Sequence, residues 1–79
     1  MENERLRPDQ LKHVRKTLHF SQQDLADALG VRRATLSHWE MGKDPIPYRV
    51  PSELAEIAED QEQRLAELAH WLRALAVEL

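Results

Sequence analysis

"SQQDLADALGVRRATLSHWEMG", residues Ser21–Gly42, holds two short helical patterns joined at a glycine. Ser21 is an N-cap residue type with Asp24 at capping-box spacing, and Phe20 and Leu25 are placed as a hydrophobic staple. These signals predict a helix over Gln22–Leu29. Gly30 can then take the left-handed conformation that ends a helix without steric cost, and Val31 tucks inward as the chain turns. From Arg32 or Arg33 to about Met41 the spacing is helical again. Leu36, Trp39 and Glu40 share one side of this third helix, and Arg33, Ala34, Ser37, His38 and Met41 share the other, which has no apolar reason to be buried.

Upstream, Pro8 is preset for a first helical turn, Asp9 suits the positive helix end, and Leu11, Val14 and Leu18 follow at helical spacing. They predict a first helix over Pro8–Leu18, with Lys12 and Lys16 outside. Downstream, Gly42 ends the third helix, and "KDPIPYRVP" carries three of the four prolines, an irregular connection. From Pro51 onward there is neither Pro nor Gly. If helical throughout, this segment spans roughly 43 Å at 1.5 Å per residue. Pro51, Ala58, Leu65, Leu72 and Leu79 recur with period seven, as do Leu54, Gln61, Leu68 and Leu75, the pattern of a helix–helix seam. The polar stretch 59–63, "EDQEQ", interrupts it, so two helices meeting near 59–62 are the alternative to one. Ile57, Ala69, Trp71 and Ala76 widen the stripe enough for more than one neighbour.

Seventy-nine residues make one small domain that is marginally stable alone and gains from a partner subunit. Cysteine is absent, which removes disulfides and thiolate zinc sites as sources of stability and suits a reducing compartment. The charged opening "MENERLRPDQ" is no signal peptide, and no run of about 18 apolar residues offers a membrane span, so a soluble cytoplasmic protein is expected. Leu, Ala, Glu, Gln and Arg dominate while strand-type alternation is missing. The expected fold class is therefore all-α, a small bundle of four to five helices with a long C-terminal helix. The net charge of -3 divides unevenly. Residues 1–50 hold nine Lys/Arg against seven Asp/Glu, and residues 51–79 hold two against seven. A weakly basic front could meet a polyanion while the acidic tail is held away from it.

Helix, glycine corner and a short helix with a polar outer face is the geometry of a helix-turn-helix. The residues that build it also resemble the Cro and phage-repressor (XRE) family, whose members read S/T-Q-x-x-L-A-x-x-x-G-V-x-x-x-x-I/L-S-x-W-E-x-G. Gln22, Leu25, Ala26, Gly30, Val31, Leu36, Ser37, Trp39, Glu40 and Gly42 all fall in place. The resemblance covers Leu11 to about Leu54. It implies a lambda-repressor-like fold and a sequence-specific double-stranded DNA-binding protein, usually a dimeric transcriptional repressor of phage or bacterial origin. Small members of the family regulate lysogeny, toxin–antitoxin operons or anti-defence genes, and the expectation here is a repressor of its own operon bound to an inverted repeat. Residues 1–50 would form the DNA-binding domain and residues 51–79 a helical dimerisation segment.

The resemblance puts Arg33 at a base-reading position, where an arginine fork fits guanine O6 and N7. Ala34 could meet a thymine methyl, and Ser37 and His38, one turn on, the next base pairs or a phosphate. Arg32 stands where the family commonly has a capping Ser or Thr, so the third helix starts with a poorer cap while the cation can reach a phosphate. Gln22 lies in the first turn of the second helix, where free N–H groups and the helix dipole favour phosphate. Lys43, Tyr48 and Arg49 resemble the family's second phosphate clamp, although Tyr48 packed inward with Val50 is the alternative. By the same resemblance Arg15 pairs with Glu40 in a structural salt bridge, and Trp39 belongs to the core. His13, His19, His38 and His70 have no metal-ligand spacing, no cofactor is expected, and no phosphate loop, activated nucleophile or paired carboxylates suggest an enzyme. Leu65, Leu68, Leu72, Leu75 and Leu79 are the expected dimer surface, with the helix-turn-helix domain as the alternative one. An antitoxin or interaction module whose acidic leucine-rich tail binds a protein such as a toxin is the other functional reading.

Overall fold

A computed structural model describes residues 5–77, among which there are four helices and no strand: α1 (Pro8–Thr17), α2 (Gln22–Leu29), α3 (Arg33–Glu40) and α4 (Val50–Val77). Each helix sends one side chain wholly out of solvent. Leu11, Leu25, Leu36 and Val50 meet in one core that Ala26, Leu29, Trp39, Ile46 and Leu54 complete. At about 1.5–3 kcal/mol for each fully buried large aliphatic or aromatic side chain, this cluster is the main source of stability in so small a body.

Local signals set the elements. The α2 start is a capping box in which the Asp24 N–H donates to Ser21 Oγ and the Ser21 N–H to Asp24 Oδ2, both at 3.0 Å. Those bonds, the backbone one foremost, hold the Asp24 carboxyl below its ordinary pKa. α1 ends at Thr17 rather than Leu18, which caps it, because His19 enters the left-handed region at φ 61° and the Phe20 N–H turns back to the Arg15 carbonyl. α4 begins one residue ahead of Pro51, a position in the first turn where proline's missing N–H costs no helical bond.

Of the two readings of residues 59–62, the single long helix holds: α4 runs unbroken through them. Helical propensity explains this, since "EDQEQ" contains good helix formers and lacks a residue that stops a helix. Among the described residues only the root of α4 touches the rest of the chain: Val50 and Leu54 are buried, Ile57 packs partly against the core, and residues 62–77 are exposed. The helix therefore projects from the body, giving extents of 54 × 30 × 19 Å. No described helix is long and apolar enough to cross a membrane.

Gly30 sits at φ 72°, ψ 30°, and a Cβ placed there would meet nothing within 4 Å. Its requirement is conformational, not steric. Gly30→Ala should thus lower stability by about 1–2 kcal/mol in urea unfolding, whereas Gly30→Asn, which tolerates this region, should cost less.

Candidate nucleic-acid interface

The corner after α2 is closed by the Gly30 N–H donating to the Asp27 carbonyl and the Val31 N–H donating to the Ala26 carbonyl, at 3.2 and 2.9 Å. Half-buried Val31 anchors the turn on the core. α3 then packs on both α1 and α2 through buried Leu36 and Trp39. That fixes what it shows to solvent. Arg33, Ala34 and His38 are exposed and Ser37 is half-buried along the opposite side, with Met41 continuing the face at 57% exposure.

Behind this face lies one carboxylate. Arg15 Nε donates to Glu40 Oε2 at 2.7 Å and Arg15 Nη2 donates to Glu40 Oε1 at 3.1 Å, a two-pronged pair whose side chains are 11% and 3% exposed. Gln22 Nε2 also donates to Glu40 Oε1, at 3.1 Å, and Arg15 Nη1 reaches the Phe20 carbonyl at 3.0 Å. The cluster thus joins α1, α2, α3 and the α1–α2 turn.

A helix-turn-helix family model matches residues 11–58, a span that takes in the core, the corner and the root of α4. The chain belongs to the Cro- and repressor-type helix-turn-helix family. It is a DNA-binding transcription regulator. No curated protein and no solved structure matches it significantly.

In this regulator Arg32 is the N-cap of α3, extended at ψ 150°, and its side chain makes no capping bond. The guanidinium is exposed beside Arg33 in sequence and in solvent. Gln22 is the first residue of α2, but its amide nitrogen is committed to Glu40, a tie that only the three-dimensional arrangement reveals. Lys43 lies three residues past the end of α3 and is exposed, its N–H donating to the His38 carbonyl at 2.9 Å. Tyr48 faces outward at 59% exposure, so it does not share the buried position of Val50. Arg49 is exposed and paired with Glu53 at 3.3 Å.

Two groups join the surface that sequence reasoning did not single out. Arg5 lies over the Tyr48 ring, 4.1 Å from its centroid, and its Nη1 donates to the Ile46 carbonyl at 2.7 Å. A cation from before α1 is thereby fixed on the proline loop. Asp44 places Oδ2 3.4 Å from His38 Nδ1, setting an acid next to the α3 face. Among the described residues no group of three His, Cys, Asp or Glu is arranged to hold a metal ion. On α4, Leu65, Leu68, Leu72 and Leu75 are all exposed, and Leu79 lies outside the described residues.

Burial pushes the Glu40 carboxyl up, but the hydrogen bonds from Arg15 and Gln22 and the charges of Arg15 and Lys12 outweigh it, so its pKa is lowered overall. The Arg15 guanidinium is correspondingly raised, chiefly by its bond to Glu40. A carboxyl depressed in the folded state contributes stability that is present above its unfolded pKa and lost as pH falls through the folded one. Arg15→Ala leaves Glu40 buried with Gln22 alone and should cost about 3 kcal/mol in chemical denaturation at neutral pH. As pH drops below the ordinary glutamate value of about 4.5, the difference between wild type and Arg15→Ala should shrink.

Proposed function

We propose that this regulator is a cytoplasmic, dimeric repressor of its own operon, reading an inverted repeat with α3 in the major groove. The observation that carries the reading is the outward face of α3, where Arg33, Ala34 and His38 are solvent-exposed because Leu36 and Trp39 hold the opposite side in the core. Arg33 would address a guanine edge, Ala34 a thymine methyl, and Ser37 and His38 the following base pairs. Arg32, Lys43, Tyr48 and Arg49 would contact phosphates, together with Gln22 at the start of α2, whose own backbone N–H and side-chain oxygen are the groups suited to the task now that its amide nitrogen serves Glu40.

Residues 1–50 act as the reading domain and residues 51–79 as the pairing segment. Half-sites on one face of the duplex lie about 34–36 Å apart, a span that a single small body does not bridge and two copies do. Leu65, Leu68, Leu72 and Leu75, with Leu79 beyond them in sequence, supply the pairing surface, since the first four are 43–63% exposed and no other described residue covers them.

Fluorescence anisotropy with an inverted repeat from the regulator's own promoter tests the reading. Arg33→Ala should lose about 1–3 kcal/mol on that site and relax discrimination at one base pair per half-site. Lys43→Ala should instead weaken cognate and random duplexes alike and reduce the salt slope by about 1. Equal binding of cognate and random DNA by the wild type would remove base readout altogether.

A further inference from the structure

Stepping about 100° per residue along α4, the exposed side chains Leu65, Leu68, Trp71, Leu72 and Leu75 fall within an arc of roughly 120°. Val50, Leu54 and Ile57, which pack into the body, fall within the same arc. The body and the uncovered stripe therefore stand on one side of one helix. Where the body stops, a groove of about 580 Å³ opens between Phe20, Ala28 and Leu29 on one wall and α4 on the other, where Ile57 and Gln61 stand beside Glu53, Glu56, Asp60 and Arg64. Its Ile57 edge is the inner end of the stripe, rimmed by acids.

This arrangement restricts how a second copy can lie against the helix. Paired helices run 8–10 Å apart, and in a parallel pair two bodies, each standing on the contact side of its own helix, would claim the same space. A parallel pair would also set Glu53, Glu56, Glu59, Asp60 and Glu62 of both copies side by side. Reversing one copy relieves both conflicts. With the helices centred near Leu68, Glu59, Asp60 and Glu62 lie beside residues 74–77 of the other copy, next to its Arg73, and Glu53 and Glu56 lie beyond its residue 77.

Resting on the dimer reading above, we infer that the two α4 helices pair antiparallel about a centre near Leu68, so that the end of each inserts into the other copy's groove. The partner's Leu75 lies against Gln61, and the partner's helix end covers Phe20 and Ala28. Each groove is complete only in the dimer. The bodies stand at opposite ends of the rod, their Leu54 residues about 40 Å apart along it at 1.5 Å per residue, a separation of the order of one DNA turn.

The chain has no cysteine, so introduced thiols report without background. Full-length Gln61→Cys, Leu75→Cys and the double variant are oxidised and run on a non-reducing gel, with sedimentation measured in parallel. In the antiparallel pair only the double variant gives a covalent dimer, because like positions sit about 21 Å apart along the helices. A covalent dimer from Leu75→Cys alone, or a sedimenting dimer whose double variant stays uncrosslinked, overturns the orientation and leaves the dimer standing. A monomer in sedimentation overturns the dimer reading itself. Ala28→Arg, at an exposed helical position on the groove wall, should keep the helical circular dichroism and weaken dimerisation about ten-fold; unchanged dimerisation would show the groove empty in the assembly.

Discussion

One buried carboxylate sets the geometry on which the reading face depends. Glu40 accepts from Arg15 and Gln22, and Arg15 in turn holds the Phe20 carbonyl, so three helices and a turn meet at a single charge. A charge at 3% exposure is tolerated only when its lone pairs are filled, and here they are filled from two directions. The consequence is orientational. Glu40 is the last residue of α3, Trp39 beside it is core, and the helix cannot roll to offer a different face without breaking those bonds. The apolar core supplies the stability, while this polar cluster specifies which way α3 points.

Much of this was legible from local chemistry. The α2 bounds, the capping box, the left-handed Gly30 and the two-sided composition of α3 all follow from interactions within four residues, where spacing speaks directly. Helix ends fall within a residue of the bounds that spacing gives, α1 closing at Thr17 and α3 at Glu40. His19 takes a positive φ that its residue type does not announce, and it closes α1 at Thr17 with Leu18 as the cap. The polar stretch 59–63 leaves one helix or two open for a different reason. A missing apolar seam says that a helix lacks a partner at that point, not that its backbone breaks.

Contacts across long sequence separations were the part that spacing could not supply. Gln22 reads as a phosphate ligand from its place at a helix start, yet its amide is held by a residue 18 positions away. Arg5 bonds the carbonyl of Ile46 across 41 positions, and nothing in "MENERL" marks it as a partner of Tyr48. His38 and Asp44 are separated by the end of α3 and a glycine at φ 77°, so their approach depends on how that turn closes. Composition carried the electrostatic contrast more faithfully, because charges that cluster in sequence on a projecting helix stay clustered in space.

Asp44 also limits the positive field around α3. Around α3 the exposed cations Arg32, Arg33 and Lys43 stand against this one acid, so the field that attracts a duplex is modest and local. With little non-specific attraction, discrimination falls to the groups that touch base edges, since phosphate contacts alone hold any sequence equally. Asp44 Oδ2, 3.4 Å from His38 Nδ1, sets this acid against one edge of that face.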